Sequence, residues 1–281
     1  QLMSFFGKGL SNGTPDSPGR PGNNNVHGWF IISHEVNVFF ANIGHIVFCS
    51  MNYRHLFFDL DHTLWDFDTN SRITLSILYE QLQLKEKGVH DFDLFHQRYL
   101  VHNEVLWDKY RKGEIRVDDL RWKRFRLALM EFKIGDDALA KKMAVAFLDL
   151  LPVRTALFPG TRDALDYLKE KGYTLHLITN GFEKTQHSKL HHSGIAQYFE
   201  EVITSEGSNS LKPHKEIFDY ALHKAGAEAP QSIMIGDDPE VDIRGAKNAG
   251  IDQVFVNYQR KEIGFTPTYT VYSLEELLAI F

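Results

Sequence analysis

Two patterns of hydrophobic and polar positions alternate along the chain from Met51 onward. The first is a series of short, nearly continuous apolar runs, each followed by a polar or glycine-containing turn. Such runs are typical of strands that are buried on both faces, as in a parallel sheet. The predicted strands are 55–60, 174–179, 201–204, 232–236, 253–257 and a less apolar run at 269–272.

The second pattern is the three- and four-residue apolar spacing of an amphipathic helix, which fills the intervals between the later runs. Strands that alternate with helices predict an α/β fold with a doubly wound, Rossmann-like parallel sheet. The helices predicted in this part of the chain are 161–171, 185–192, 215–225, 241–249 and 273–280.

One interval is much longer than an ordinary crossover between parallel strands. More than a hundred residues separate the run that ends near Asp59 from the run that ends at Thr179. Their pattern predicts four amphipathic helices, which we expect to form an inserted cap domain (67–155) over a core domain made of 51–66 and 156–281. The cap helices are predicted at 69–84, 92–111, 117–131 and 136–151.

The first 50 residues differ from the rest. Residues 7–28 are dense in Gly, Pro, Ser and Asn and contain almost no large apolar side chain. Because such a segment has little to bury, it cannot offset the entropy lost on ordering. We expect residues 1–50 to be a disordered extension that is dispensable for the domain starting at Met51, and the sequence leaves open whether it is native.

The amino-acid composition indicates which binding partners and which cellular compartment to expect. The 281-residue chain is 43% hydrophobic and 24% charged, which is ordinary for a globular protein, and its net charge is −6. No basic stripe is present to bind a nucleic acid polymer. A single cysteine, Cys49, excludes an internal disulfide and suits a reducing compartment. Since no apolar run reaches the ~20 residues of a membrane span, we expect a cytoplasmic protein with no membrane partner.

Polar and charged residues follow the predicted strands at the point where each strand ends. In open α/β sheets these carboxyl ends meet at one edge, where ligands bind. The sequence therefore predicts that carboxylates, a hydroxyl and an ammonium group converge there. They are Asp59, Asp61, Thr179, Asn180, Gly181, Lys212, Asp237, Asp238 and Asp242.

Several carboxylates at one edge repel each other, by about 4 kcal/mol for two charges ~4 Å apart at an effective dielectric constant of ~20. A divalent cation would relieve this repulsion, and oxygen ligands without His or Cys favour Mg²⁺. An ionised Asp59 can then act as a nucleophile, while Asp61, which we expect close to another carboxylate, can act as acid and base. The Lys212 ammonium, the Thr179 hydroxyl and the backbone N–H groups of Asn180 and Gly181 can hold phosphoryl oxygens.

Taken together, these residues resemble the four motifs of the haloacid dehalogenase-like (HAD) superfamily. The motifs are Asp59-Leu-Asp-His-Thr63, Thr179, Lys212 and Gly236-Asp-Asp-Pro-Glu-Val-Asp242, in the order that the family has. The resemblance covers residues 53–281 and implies an aspartyl-phosphate on Asp59. It also implies Mg²⁺ on the Asp59 and Asp237 carboxylates and the Asp61 carbonyl, with phosphate on Thr179 and Lys212. Asp242 would orient Lys212, and Asp238 would either support the metal or cap a helix.

A narrower resemblance concerns the substrate. The segments 57–66, 103–110 and 177–182 are similar to those of the YjjG-type pyrimidine nucleotidases, which implies nucleoside 5′-monophosphates such as UMP, dUMP and dTMP. An Asp at position 61 is typical of HAD phosphatases and phosphomutases, and it argues against dehalogenation.

Three alternatives stay open. The enzyme could be a small-metabolite phosphatase for phosphoglycolate or sugar phosphates, or a phosphomutase like β-phosphoglucomutase. It could also be a HAD domain that binds without catalysis. In each case the expected partner is a small phosphate ester, and the chain could work as a monomer or a homodimer.

Three further residues are candidates for contact with the substrate. Trp65 lies where the chain passes toward the cap, and Trp107 and Arg124 lie on predicted cap helices. Aromatic rings there can stack on a base, and Arg can bind an acceptor. The alternative for Trp65 is packing within the hinge, the segment that joins core and cap. The alternative for Trp107 and Arg124 is packing within the cap.

Overall fold

A six-stranded parallel sheet organises the computed structural model, which describes residues 53–281. All six predicted strands form, and each adjacent pair is parallel. The predicted extension, residues 1–50, lies outside the described residues. The strands are β1 (His55–Phe58), β2 (Thr174–Thr179), β3 (Phe199–Thr204), β4 (Ser232–Gly236), β5 (Asp252–Val256) and β6 (Tyr269–Val271).

The strand order is β3-β2-β1-β4-β5-β6. From β1 the chain runs outward through β2 to β3, then crosses back to β4 and continues outward through β5 to β6. The order therefore reverses between β1 and β4, and in open α/β sheets this reversal leaves a crevice outside the carboxyl ends of the strands.

Helices connect the strands. The described α-helices are α1 (Phe67–Gln81), α2 (Phe92–Arg111), α3 (Val117–Met130), α4 (Asp137–Leu150), α5 (Thr161–Glu170), α6 (Glu183–His192), α7 (Ser205–Ser208), α8 (Lys215–Ala225) and α9 (Gly245–Asn248). Short 3₁₀ turns occur at Leu151–Val153, Ala196–Tyr198 and Ala229–Gln231.

The sheet is covered on both faces. Leu56 and Phe58 of β1 pack into one hydrophobic cluster, which includes Leu165 of α5 and Leu190 of α6. Phe57, between them, points the other way into a second cluster with α8. Alternate residues of one strand thus enter two cores, which confirms the doubly wound architecture.

Helices α1–α4 are inserted between β1 and β2 and form the predicted helical cap. Three of them begin at an aspartate, since the carboxylates of Asp66, Asp91 and Asp136 each accept a hydrogen bond of 2.9 Å from the backbone N–H three residues later. The division into two domains at residues 67 and 155 stays a prediction. Within residues 53–281, no helix has both the length and the apolar character that crossing a bilayer requires.

The two chain crossings between sheet and cap are paired with each other. Trp65 forms an antiparallel bridge with Leu157. On either side, Asp66 N–H donates to Ala156 O (3.1 Å) and Phe158 N–H donates to Leu64 O (2.9 Å). The outgoing and returning chains therefore form a short two-stranded ribbon.

Two predicted helices differ in type. Pro239–Arg244 is a π-helical turn ahead of α9, where an α-helix from 241 to 249 was expected. Leu274–Ala279 is a 3₁₀ helix, where an α-helix from 273 to 280 was expected. The 3₁₀ repeat of three residues places Leu274 and Leu277 on one face, and both are buried.

Candidate active site

Carboxylates meet in the crevice between β1 and β4. Asp59 directly follows β1, Asp237 directly follows β4, and Asp242 lies in the π-helical turn after it. One oxygen from each of the three carboxylates lies within 4.8 Å of the other two. Asp59 and Asp242 are buried, and Asp237 is partly exposed. The predicted convergence of these three side chains is therefore present in the structure.

Lys212 lies among these carboxylates, and its side chain is only 1% exposed. Its Nζ is 2.6 Å from Asp59 Oδ1 and 2.7 Å from Asp242 Oδ1. It also donates to Ile178 O at 2.7 Å. Lys212 therefore bridges Asp59 to Asp242.

Asn180 fixes the backbone of Lys212. Its Nδ2 donates to Lys212 O (2.9 Å), and its Oδ1 accepts from Lys212 N (2.7 Å). The side chain of Asn180 therefore holds the loop that carries the ammonium group. The nearby Thr179 Oγ1 accepts from Gly181 N at 3.1 Å, so two of the four residues proposed as phosphate ligands contact each other.

The pKa values of these groups reflect their burial and mutual repulsion. Burial, together with the charges of Asp242 and Asp237, raises the pKa of Asp59 well above its usual value, although Lys212 opposes this shift. Burial and the charge of Asp242 raise the pKa of Asp237 to about 8. Burial alone would lower the pKa of Lys212, but the charges of Asp242 and Asp59 outweigh it and raise the pKa.

The donor set fits a divalent metal ion. Three carboxylates face one ammonium group, so the cluster has more negative than positive charge when it is ionised. Asp237 in particular accepts a hydrogen bond from Thr63 Oγ1 (3.0 Å) and contacts no cation among the described residues. Carboxylate oxygens are the ligands that Mg²⁺ prefers.

The environment of Asp61 differs from that of Asp59. Its side chain is absent from the carboxylate cluster. Its Oδ1 and Oδ2 lie 2.6 and 2.7 Å from Lys189 Nζ, and Oδ2 accepts a hydrogen bond from Gln186 Nε2 at 3.0 Å. The expectation that Asp61 lies close to another carboxylate stays a prediction, and the charged group that Asp61 contacts in the structure is the buried Lys189 ammonium. Lys189 and Gln186 were not predicted as site residues, because their spacing in the sequence indicates only that they share one face of α6.

Asp238 caps the π-helical turn. Its Oδ1 accepts hydrogen bonds of 2.9 Å from the backbone N–H groups of Glu240 and Val241. Its own N–H donates to Asp242 Oδ2 at 3.1 Å. Of the two roles considered for Asp238, helix capping is therefore the one with visible contacts. The turn it starts carries Asp242 back toward Lys212, an example of a π-helical turn at a functional site.

Trp65 and Arg124 are both buried. The Trp65 ring packs within the hinge, with Lys189 Nζ 4.4 Å from its centroid. The guanidinium of Arg124 donates to Asn103 Oδ1 at 2.8 Å and lies 5.3 Å from the ring centroids of Phe125 and Phe147. No carboxylate within residues 53–281 is at ion-pair distance from Arg124.

Trp107 connects the cap to the loop that follows β2. Its ring stacks on Phe182, the residue after Gly181, with centroids 5.8 Å apart. The Arg121 guanidinium lies 4.5 Å from the same Phe182 ring and 3.7 Å from Glu206. The Phe182 side chain is thus held between α2 and α3. It lies next to residues 179–181, the proposed phosphate loop.

Comparisons with known proteins agree with this geometry. The haloacid dehalogenase-like hydrolase family matches residues 53–250. The pyrimidine 5′-nucleotidase PynA of Streptococcus pneumoniae is 34% identical over 231 residues, which are 81% of this chain and 94% of that protein. The pyrimidine 5′-nucleotidase YjjG of Escherichia coli is 31% identical over 230 residues, 81% of this chain and 97% of that protein.

A solved structure supports the same assignment. The HAD hydrolase YfnB of Bacillus subtilis, in a magnesium-bound crystal form, superposes with a TM-score of 0.73 and 30% identity. The match covers 82% of this chain and 98% of that one. Sequence motifs, sheet topology and the cluster at the β1–β4 crevice thus agree, and the chain belongs to the haloacid dehalogenase-like hydrolases.

Proposed function

We propose that this protein is a Mg²⁺-dependent phosphatase that hydrolyses phosphate monoesters through an aspartyl-phosphate on Asp59. The observation that carries the proposal is the group of three carboxylates at the point where the strand order reverses, Asp59, Asp237 and Asp242, the first and last of which pair with the buried Lys212. A carboxylate nucleophile and an anionic phosphate repel each other, so the site must supply positive charge. Mg²⁺ held by Asp59, Asp237 and the Asp61 carbonyl would offset that repulsion.

The reaction has two steps. In the first, an Asp59 oxygen bonds to phosphorus, the ester P–O bond breaks, and Asp61 gives a proton to the leaving oxygen. In the second, Asp61 takes a proton from water, the water oxygen bonds to phosphorus, and the bond to Asp59 breaks. Lys212 and the Thr179 hydroxyl bind the phosphoryl oxygens, while Asn180 and Asp242 keep Lys212 in place.

For the substrate we propose nucleoside 5′-monophosphates, with pyrimidine nucleotides preferred. PynA and YjjG, whose names state this activity, match most of the chain. Arg124 supports the proposal, because a buried guanidinium with no carboxylate partner among residues 53–281 suits an uncharged acceptor on the leaving group, such as a pyrimidine carbonyl. Burial lowers the pKa of Lys189, the lysine that pairs with Asp61, and the charge of Arg124 makes a smaller contribution in the same direction.

A substrate panel tests the proposal. Phosphate release would be measured with dUMP, dTMP, UMP, phosphoglycolate and hexose phosphates, with Mg²⁺ and with EDTA, and without a sugar acceptor. We expect metal-dependent release with the highest kcat/KM for the pyrimidine nucleotides. A preference for phosphoglycolate or hexose phosphates would point to a small-metabolite phosphatase. Release only with a sugar acceptor would indicate a mutase, and no turnover would indicate a binding domain.

A variant of Arg124 tests its role. Since a hydrogen bond from a charged donor contributes about 1.5–3 kcal/mol, Arg124→Met should lower kcat/KM for dUMP by roughly 10- to 100-fold. The rate with p-nitrophenyl phosphate, which lacks the base, should change little. The matched control is Arg126→Met, which removes a half-exposed Arg of the same helix that pairs with Asp137. Equal losses for both substrates would assign Arg124 to cap packing alone.

A further inference from the structure

Asp61 is held by two side chains that no motif of the sequence identified. Lys189 Nζ contacts both carboxylate oxygens, at 2.6 and 2.7 Å, and Gln186 Nε2 donates to one of them at 3.0 Å. Residues 186 and 189 are three apart on α6, so their side chains extend from the same face of the helix. Contacts to both oxygens fix the orientation of the carboxylate plane as well as its position.

This ion pair differs from the surface pairs of the molecule. The Lys189 side chain is 2% exposed, and Asp61 is its only carboxylate partner at ion-pair distance among the described residues. The Nζ also lies 4.4 Å from the ring centroid of Trp65 and 5.8 Å from that of Phe67. Burying an ammonium group costs several kcal/mol before its interactions are counted, whereas an exposed pair forms at little cost. The placement therefore needs a reason beyond general stability.

Gly181 connects this network to the phosphate loop. A Cβ at position 181 would overlap the side-chain amide of Gln186, which folds back over the glycine. The residue at 181 must therefore lack a side chain for Gln186 to reach Asp61. Because α6 begins at Glu183, directly after this loop, one helix positions both the phosphate-binding backbone and the partners of Asp61.

We propose that Lys189 and Gln186 are positioning residues that hold the Asp61 carboxyl group in place for proton transfer in both steps of the reaction. The inference rests on the proposed function. Asp61 has a partly exposed side chain (25%) and would otherwise be free to rotate toward solvent. Proton transfer requires its oxygen within hydrogen-bond distance of the leaving oxygen and then of the attacking water.

The test uses two substrates that differ in their need for Asp61. p-Nitrophenolate leaves without a proton, so the first step with p-nitrophenyl phosphate does not depend on Asp61, whereas the hydrolysis of the aspartyl-phosphate does. With dUMP both steps depend on it. Misplacement of a catalytic group by ~1 Å costs on the order of 10²-fold in rate.

For Lys189→Met with p-nitrophenyl phosphate, we therefore expect kcat and KM to fall together by about 10- to 100-fold, which leaves kcat/KM within about threefold of wild type. A burst of one nitrophenolate per active site should precede the slow steady state. With dUMP, kcat/KM itself should fall. Lys189→Arg, which keeps the charge, should recover part of kcat. Gln186→Met should show the same pattern as Lys189→Met with a smaller effect.

Lys184→Met, an exposed position on the same helix, is the matched control and should behave as wild type. If Lys189→Met does not fold, as judged by circular dichroism, Gln186→Met carries the test because it leaves the ion pair intact. Wild-type kcat in both variants, or a loss of kcat/KM for p-nitrophenyl phosphate equal to that for dUMP, would overturn the positioning role. Absence of any Mg²⁺-dependent turnover in the wild-type enzyme would instead overturn the proposed function.

Discussion

At the scale of single residues, the structure separates the two acidic side chains of the first motif. Asp59 points into the carboxylate cluster and pairs with Lys212, while Asp61 pairs with Lys189. Each carboxylate therefore has its own ammonium partner from a different part of the chain. This arrangement suits a nucleophile that attacks phosphorus from one side and a proton donor that reaches the leaving oxygen on the other side.

Asp59→Asn tests the nucleophile. Removal of a nucleophile typically costs on the order of 10⁴-fold or more in kcat, so turnover should become undetectable in a phosphate-release assay. Because one of three mutually repelling carboxylates is neutralised, the variant should be as stable as wild type or more stable in urea unfolding. Turnover near the wild-type rate would exclude Asp59 as the attacking group.

Lys212→Met tests the bridging cation. Removing one partner of a buried ion pair leaves an uncompensated charge, at a cost of about 3–5 kcal/mol in the free energy of unfolding. Asp59 and Asp242 would then face each other without a cation, and phosphatase activity should also be lost. As a control, Lys215→Met removes an exposed lysine that pairs with Asp219, and the free energy of unfolding should change by less than ~1 kcal/mol. A Lys212→Met variant as stable as this control would contradict the charge balance described for the site.

At the scale of secondary-structure elements, the turn at Pro239–Arg244 brings Asp242 into the site. Gly236 makes this possible, since a side chain there would overlap the Asp242 carboxylate. The helix after β4 thus begins with a π-helical turn that Asp238 caps through two backbone N–H groups. An ordinary α-helical start would rotate residue 242 relative to Lys212.

Substitutions of Asp238 separate capping from metal binding. Loss of an N-cap costs about 1 kcal/mol, so Asp238→Ala should lower the free energy of unfolding by that amount. Asp238→Ser keeps a capping oxygen and should retain both wild-type stability and the wild-type Mg²⁺ concentration for half-maximal activity. A large rise in the Mg²⁺ requirement of Asp238→Ser would show that the carboxylate serves the metal instead.

The sequence predicted the elements better than the contacts between them. Buried strands and amphipathic helices repeat with their own periods, so all six strands and the four cap helices were predicted close to their observed bounds. The residues at the carboxyl ends of the strands followed from topology. The partners of Asp61 did not, because a Lys and a Gln at helical spacing are typical of a solvated surface, and only the packing of α6 against the hinge shows that they are buried.

At the scale of the whole molecule, the buried carboxylates couple folding to pH and metal. In the unfolded chain the Asp237 carboxyl group has its ordinary pKa of 3.8, whereas in the folded protein its pKa is about 8. The folded state thus binds more protons between these values, and stability falls as pH rises through this range. A cation bound to the ionised carboxylates would oppose that fall.

Thermal unfolding at pH 6, 7 and 8 tests this coupling. In EDTA the Tm should decrease from pH 6 to pH 8, and Mg²⁺ should raise the Tm most at pH 8, because binding to the folded state alone stabilises it. Asp237→Asn serves as the control and should lose both the Mg²⁺ response and part of the pH dependence. An equal Mg²⁺ response at all three pH values, or one preserved in Asp237→Asn, would show that these carboxylates do not hold the ion.

The paired crossings between sheet and cap restrict how the cap can move. Because Trp65 and Leu157 are bridged, the outgoing and returning chains of the two-stranded ribbon cannot move independently of each other. We therefore expect any movement of the cap relative to the sheet to bend both crossings of the ribbon together. Trp65 lies in this ribbon with its ring centroid 4.4 Å from Lys189 Nζ, so bending of the ribbon would also displace a side chain next to the partner of Asp61.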